Sequence, residues 1–379
     1  MKQKEFFGFN SVESLKDILL EYKASKIFLV VGKGSFVKSS AESVLLSMFE
    51  DLDIKIFNDF SVNPDMQDVK KGIKSYKSFN PDIVVAVGGG SVIDIAKSIN
   101  ILSFQSSSPE KYIKNELPLS RPGKPLVAIP TTSGTGSEAT YFATIYSNKI
   151  KFSLGDKKLT LPDIAIVDPQ FTMSMPSNLT ASTGLDALCQ GIESMWAVGS
   201  TDESRHYAKK AVKKAFDNLE KAVNNPNKIS RMNMAEAANF SGKAICISKT
   251  TACHSISYPI TSFFKIPHGH AVALSVPEII EYNYNLTEKD CIDPRGVDFV
   301  KEKISEIFEI IGADDEIDAK DKITRLIRNI GLETRFNNLN ISKKDLNVII
   351  KNGFTPSRMS NNPRKIDEND LRIILERIL

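Results

Sequence analysis

Five short apolar runs lie between residues 26 and 169: KIFLVV (26–31), IKIFN (54–58), DIVVAVGG (82–89), PLVAIPT (125–131) and DIAIVDP (163–169). They are rich in Val and Ile and lack in/out alternation, which predicts parallel strands covered on both faces. Between them, SVESLKDILLEY and DMQDVKKGIKSYKSF carry apolar residues at helical spacing, so strands and helices alternate as in an α/β domain. Residues 140–160 read as a hairpin turning at Ser147, Asn148 and Lys149. After DPQFTMSMPSNLT the strand-like runs stop. A helical period then continues to Leu379, with helices predicted at 179–197, 202–224, 232–248, 250–263, 269–282, 297–311, 319–330 and 367–379. The pattern predicts an α/β domain over 1–174 and an all-α domain over 175–379, with a site in the cleft between them.

Charge narrows the partners. Lys and Arg number 49 against 46 Asp and Glu, which argues against a nucleic-acid partner that needs a dense basic face and leaves room for a small anionic substrate. The N-terminal MKQKEFFGFNSVESL lacks the apolar core of a secretion signal, and no apolar run approaches the ~20 residues of a membrane span. A cytoplasmic protein with no membrane association is expected. Cys189, Cys246, Cys253 and Cys291 form no CxxC pair, so reduced thiols are expected. Cys253 adjoins His254, which leaves thiolate chemistry open beside a buried thiol.

Two glycine-containing loops follow predicted strands. In VVAVGGGSVIDIAKSIN, Gly88, Gly89, Gly90 and Ser91 lead into a helix whose free N–H groups suit pyrophosphate, although a tight strand-to-helix turn has the same look. AIPTTSGTGSEAT offers Thr131, Thr132, Ser133, Thr135 and Ser137 for phosphate and ribose contacts. Together the loops converge where open α/β sheets bind nucleotides. LVVGKGSF places Gly32, Lys33 and Ser35 where an acidic residue usually accepts from the ribose of NAD; room and a cation favour NADP(H), and the alternative is a glycine turn with a solvated lysine.

In TGLDALCQGIESMW, Asp186 and Gln190 lie one helical turn apart. Three of the four histidines, His254, His268 and His270, fall in CHSISYPITSFFKIPHGHAV. His254 and His268, on successive elements, combine with Asp186 into a plausible divalent site, while His270 reads as a core or capping residue.

GGGSVIDIAK, IPTTSGTGSE, LPDIAIVDP, TGLDALCQGIES and IPHGHAVAL, in this order, resemble the iron-containing (group III) alcohol dehydrogenase family. The resemblance implies a dehydroquinate synthase-like fold, in which a Rossmann-like α/β N-terminal domain is followed by an all-α C-terminal domain. It also implies NAD(P)(H) and a divalent metal, Fe²⁺ or Zn²⁺. The family's metal ligands are one Asp and three His: Asp186, His254 and His268 match, and Gln190 stands in place of the first histidine, its amide carbonyl a neutral oxygen donor. Tyr258 stands where many members carry a histidine that helps relay a proton; with a pKa of ~10 it is a poorer relay, and a packed aromatic is the alternative. The implied catalytic set is therefore Tyr258, His254 and His268, with Asp94 and Lys97 beside the first loop, Asp94 ordering it.

Gln190, ESMWAVGSTDESRHYA, GKAICISKTTACHSISYPIT and SNNPRKID look most like the phosphonoacetaldehyde reductase branch, which implies reduction of an aldehyde bearing a phosphonate to 2-hydroxyethylphosphonate. Arg205, Lys249, Arg358 and Arg364 are the candidate cations for that anion. The alternatives are a reductase of simple aliphatic aldehydes, a dehydroquinate synthase-like lyase and a nonenzymatic ligand-binding protein. By analogy with the family, a homodimer is expected.

Overall fold

A computed structural model describes residues 3–147 and 150–379. The chain divides into two compact units, Met1–Thr132 with Gly136–Met175, and Ser133–Thr135 with Pro176–Leu379.

The first unit carries strands β1 (Lys4–Phe7), β2 (Lys26–Val31), β3 (Asp53–Phe57), β4 (Ile83–Gly88), β5 (Leu126–Pro130), β6 (Ala143–Ser147), β7 (Ile150–Leu154) and β8 (Ile164–Val167). Six of them form a parallel sheet in the order β1-β8-β5-β4-β2-β3. Successive residues enter different cores: Phe28, Val30, Val84, Ala86 and Ala128 lie in one, and Ile27, Leu29, Ile83, Val85, Val127 and Ile129 in the other. Both are apolar, which is why these strands show no polar alternation. β1 escapes the apolar pattern because it is a four-residue edge strand, KEFF, with its two charged residues exposed. β6 and β7 form the expected antiparallel pair, and Asn148 and Lys149 of its turn lie outside the described residues.

Helices of eight or more residues are α1 (Ser14–Glu21), α2 (Met66–Phe79) and α3 (Gly90–Leu102) in the first unit. In the second they are α4 (Ser177–Trp196), α5 (Asp202–Asn224), α6 (Lys228–Ser248), α7 (Ala252–Phe264), α8 (Val276–Tyr284), α9 (Val297–Ile311), α10 (Glu316–Asn329) and α11 (Glu368–Glu376). Capping boxes start α5 (Thr201 with Ser204) and α6 (Asn227 with Ser230), satisfying backbone N–H groups that the first turn leaves free. The helix expected over 269–282 is two pieces, His268–Ala273 and α8, because the chain breaks at Leu274 and Ser275 and restarts with Pro277 in the first turn, where its missing N–H costs nothing. Two short helices, Leu346–Asn352 and Pro356–Met359, were not anticipated. Among the described residues no helix is long and apolar enough to cross a membrane.

α4 is the central helix of this unit. From Gly184 to Trp196 every residue is buried, including Asp186, Gln190 and Glu193. Polar groups so placed must find partners inside the protein.

Candidate active site

α4 presents Asp186, Gln190 and Glu193 at offsets of four and three, so all three share one face. α7 supplies His254 in its first turn, and the short helix after Pro267 begins with His268. That short helix approaches α4 closely because residue 269 is glycine: a Cβ there would stand 1.9 Å from the Ser182 carbonyl oxygen and 2.9 Å from Asp186 Cβ.

Asp186 Oδ1 lies 3.4 Å from His254 Nε2 and 4.0 Å from His268 Nε2. The three donor atoms lie within 4.8 Å of one another. Asp186 Oδ1 and His254 Nε2 are buried and neither has a hydrogen-bond partner. A carboxylate and two imidazoles converging, two of their donor atoms (Asp186 Oδ1 and His254 Nε2) buried and unpartnered, fit a borderline divalent cation. Burial opposes the charge on Asp186, but the adjacent His254 and His268 outweigh it and hold the carboxyl below its ordinary range. Burial likewise opposes charge on His254, yet Glu193 and Asp186 push it up to about 9.

Glu193 was missed in the sequence, and it organises the site. Its Oε2 pairs with His254 Nδ1. Its Oε1 accepts from Thr251 N at 3.0 Å, Thr251 Oγ1 at 2.7 Å and His254 N at 3.3 Å. A carboxylate on Nδ1 keeps a proton there, so Nε2 is the nitrogen that gives up its proton to a metal, the arrangement in which histidine ligates metals. The available signal was spacing: Glu193 falls seven residues after Asp186, on the same face.

Gln190 turns its Oε1 to Ser241, whose Oγ donates at 2.9 Å, and its own hydrogen bond helps lower Asp186. The same Ser241 Oγ lies 2.9 Å from the Ala238 carbonyl.

Tyr258 is half-buried with its ring stacked on His268, centroids 6.3 Å apart. His270 is engaged by the Glu333 carbonyl at 2.7 Å. Burial pushes the Cys189 and Cys253 thiols well up, so the thiolate chemistry left open for Cys253 is not supported.

In the first unit the two loops leave neighbouring parallel strands: Gly88 registers with Pro130, and Thr131 N donates to the Gly88 carbonyl at 3.0 Å. Gly89 caps α3, and Gly90 and Ser91 open it; Ser91 Oγ donates to the Val62 carbonyl. A Cβ on Gly89 would stand 3.3 Å from the Thr132 side chain, so the loops touch. The Thr131 hydroxyl is buried without a partner, as is that of Ser133. Asp94 accepts from Ser137 Oγ at 2.5 Å and Thr144 N at 2.9 Å. Buried Lys97 donates to the carbonyls of Ser137, Thr140 and Phe142 at 2.6, 2.8 and 2.8 Å. Asp94, expected to order the first loop, thus braces the second together with Lys97, because its carboxylate meets Ser137 and Thr144. Gly32 lies against Ser35, whose Oγ would be 2.3 Å from an added Cβ. Lys33 pairs with Asp59 at 3.9 Å, both side chains about two-thirds exposed.

Of the four candidate substrate cations, two are engaged by the fold. Arg205 pairs with Asp202 and donates to Ser200 Oγ at 3.0 Å. Arg364 pairs with Asp290 at 2.8 Å and donates to the Tyr282 carbonyl at 2.6 Å. Lys249 is exposed and Arg358 half-buried.

Residues 3–169 match the family model described as iron-containing alcohol dehydrogenase, and residues 180–379 match that of the C-terminal part of the Fe-containing alcohol dehydrogenase family. A phosphonoacetaldehyde reductase from Streptomyces viridochromogenes is 31% identical over 314 residues, covering 80% of this chain and 78% of its own. An NADPH-dependent butanol dehydrogenase from Clostridium saccharobutylicum is 30% identical over 380 residues, covering 98% and 95%. The solved structure of a sulfoacetaldehyde reductase from Bifidobacterium kashiwanohense in complex with NAD+ superposes with a TM-score of 0.89 at 29% identity, covering 99% of this chain and 96% of that one.

Proposed function

The chain belongs to the iron-containing alcohol dehydrogenase family, whose members are NAD(P)-dependent oxidoreductases, and from that premise we propose that it reduces a small anionic aldehyde, phosphonoacetaldehyde first, to the alcohol. The observation that carries the chemistry is the triangle of Asp186, His254 and His268, in which the buried Asp186 Oδ1 and His254 Nε2 lack partners. The anionic substrate draws its support from two relatives named for phosphonoacetaldehyde and sulfoacetaldehyde.

Asp186, His254 and His268 would hold the divalent cation, with the Gln190 carbonyl as a fourth donor once its amide turns away from Ser241. When bound, the cation supplies Lewis acidity toward the carbonyl oxygen and the nicotinamide supplies the hydride. Glu193 fixes the ring orientation of His254 and keeps the Nδ1 proton, so that Nε2 is the nitrogen aimed at the cation. Tyr258, one turn after His254, passes the proton that the product alcohol gains. In the nucleotide loops, Gly88 and Gly89 allow close approach of the pyrophosphate to the start of α3, while the Thr131, Thr132, Thr135 and Ser137 hydroxyls contact phosphate and ribose.

NADPH is the proposed coenzyme because Gly32 leaves room for a 2′-phosphate and Lys33 offers a cation. The exposed, long pair with Asp59 is worth little and leaves that cation available. A butanol dehydrogenase among the relatives supports simple aliphatic aldehydes as the second reading. The test is oxidation of NADPH and NADH by Fe²⁺- or Zn²⁺-loaded protein with phosphonoacetaldehyde, acetaldehyde and lactaldehyde. Metal-dependent turnover with phosphonoacetaldehyde preferred supports the reading, and no turnover of any aldehyde sinks it.

A further inference from the structure

We propose that Lys249, together with Arg358, is the subsite for the anionic group of the substrate; this rests on the reductase reading above and specifies its substrate class. Lys249 ends α6 with φ 61° and ψ 178°. That combination is open essentially only to glycine. Other helix ends with positive φ, at Asn10 (ψ 10°), Ser40 (ψ 9°), Asn80 (ψ 69°), Lys265 (ψ 24°) and Asn340 (ψ 30°), occupy the ordinary left-handed basin. Glycine would adopt this backbone with less strain, so what the lysine adds at this position is its side chain.

The strained residue is pinned on both sides. Asn361 Nδ2 donates to the carbonyls of Ser248 at 2.9 Å and Thr250 at 3.0 Å, and Ser248 Oγ donates to the Lys249 carbonyl at 2.9 Å. Two residues on, Thr251 holds Glu193, which holds His254. The segment that orients the metal-ligand histidine therefore also fixes the backbone of Lys249.

Arg358 is tied to the same asparagine, because Asn361 N donates to the Arg358 carbonyl at 3.2 Å. Asn361 accordingly joins two cations from distant parts of the sequence. Among the described residues neither Lys249 nor Arg358 has an ion-pair partner, in contrast to Arg205 and Arg364 with Asp202 and Asp290. Two uncompensated cations held by one rigid junction match a tetrahedral anion such as a phosphonate or sulfonate.

The test uses metal-loaded Lys249→Met, Lys249→Gly and Arg358→Met. Two readouts apply: the ratio of kcat/KM for phosphonoacetaldehyde over acetaldehyde, and calorimetric binding of 2-hydroxyethylphosphonate. A charge-assisted contact predicts that each variant lowers the ratio about tenfold or more, chiefly through KM for the anionic aldehyde, and weakens binding in parallel. Lys249→Gly is also expected to raise the thermal unfolding midpoint, because it relieves the backbone while deleting the cation. A ratio and an affinity within about twofold of the parent, in either the Lys249 or the Arg358 variants, overturns the shared subsite. If the parent reduces no aldehyde, the reductase reading falls separately, and the binding titration still decides the subsite.

Discussion

Replacing Glu193 with glutamine keeps the size of the side chain and removes one charge at a fully buried position. Three of its hydrogen bonds, from Thr251 N, Thr251 Oγ1 and His254 N, converge on Oε1, and the fourth contact joins Oε2 to His254 Nδ1. A glutamine carbonyl placed at Oε1 keeps the first three but sets an NH₂ against Nδ1–H, donor against donor. The ring escapes by moving its proton to Nε2, the atom that lies 3.4 Å from Asp186 Oδ1 and must be bare to ligate. The other escape reverses the amide and gives up three acceptor contacts to save one. Loss of an outer-shell carboxylate of this kind costs about 10- to 100-fold in metal affinity, or roughly 1.4 to 2.8 kcal/mol. Zn²⁺ titration of metal-stripped protein against a chelating indicator measures it, with the unfolding midpoint of the metal-free variant as the control for folding. An affinity equal to the parent's in a folded variant would refute the role assigned to Glu193.

Gly269→Ala should cost about 1–3 kcal/mol and weaken Zn²⁺ binding as well, because its Cβ meets the Ser182 carbonyl at 1.9 Å and displaces the helix that begins with His268; thermal melts and the same titration check both. Gln190→His should tighten metal binding with the fold intact, and an unchanged affinity counts against ligation by Gln190. Gly32→Asp should turn the coenzyme preference toward NADH by about tenfold or more, since a carboxylate repels a 2′-phosphate and accepts from a ribose hydroxyl; steady-state kinetics with the two coenzymes decide it.

The buried strands were legible because both faces of each lie in apolar cores, so Val and Ile run unbroken. β1 was not, because an edge strand with Lys4 and Glu5 exposed carries no such run. The helical periodicity continued through Leu274 and Ser275, and the break there turns on backbone geometry that an apolar pattern does not encode. At the candidate site, Asp186, His254 and His268 stood out by residue type and by resemblance. Glu193 sat in the same quoted motif and was passed over, since its importance depends on which nitrogen of His254 it meets. Of the four candidate cations, the Asp202 partner of Arg205 lay three residues away and was readable. The Asp290 partner of Arg364 lay 74 residues away and was not.

The most direct measurement follows phosphonoacetaldehyde by phosphorus NMR in the presence of metal-loaded protein and NADPH. Conversion to 2-hydroxyethylphosphonate, one equivalent per NADPH oxidised and abolished by Asp186→Ala, is the predicted result. An unchanged phosphonoacetaldehyde resonance, with acetaldehyde reduced under the same conditions, would contradict the anionic-aldehyde assignment.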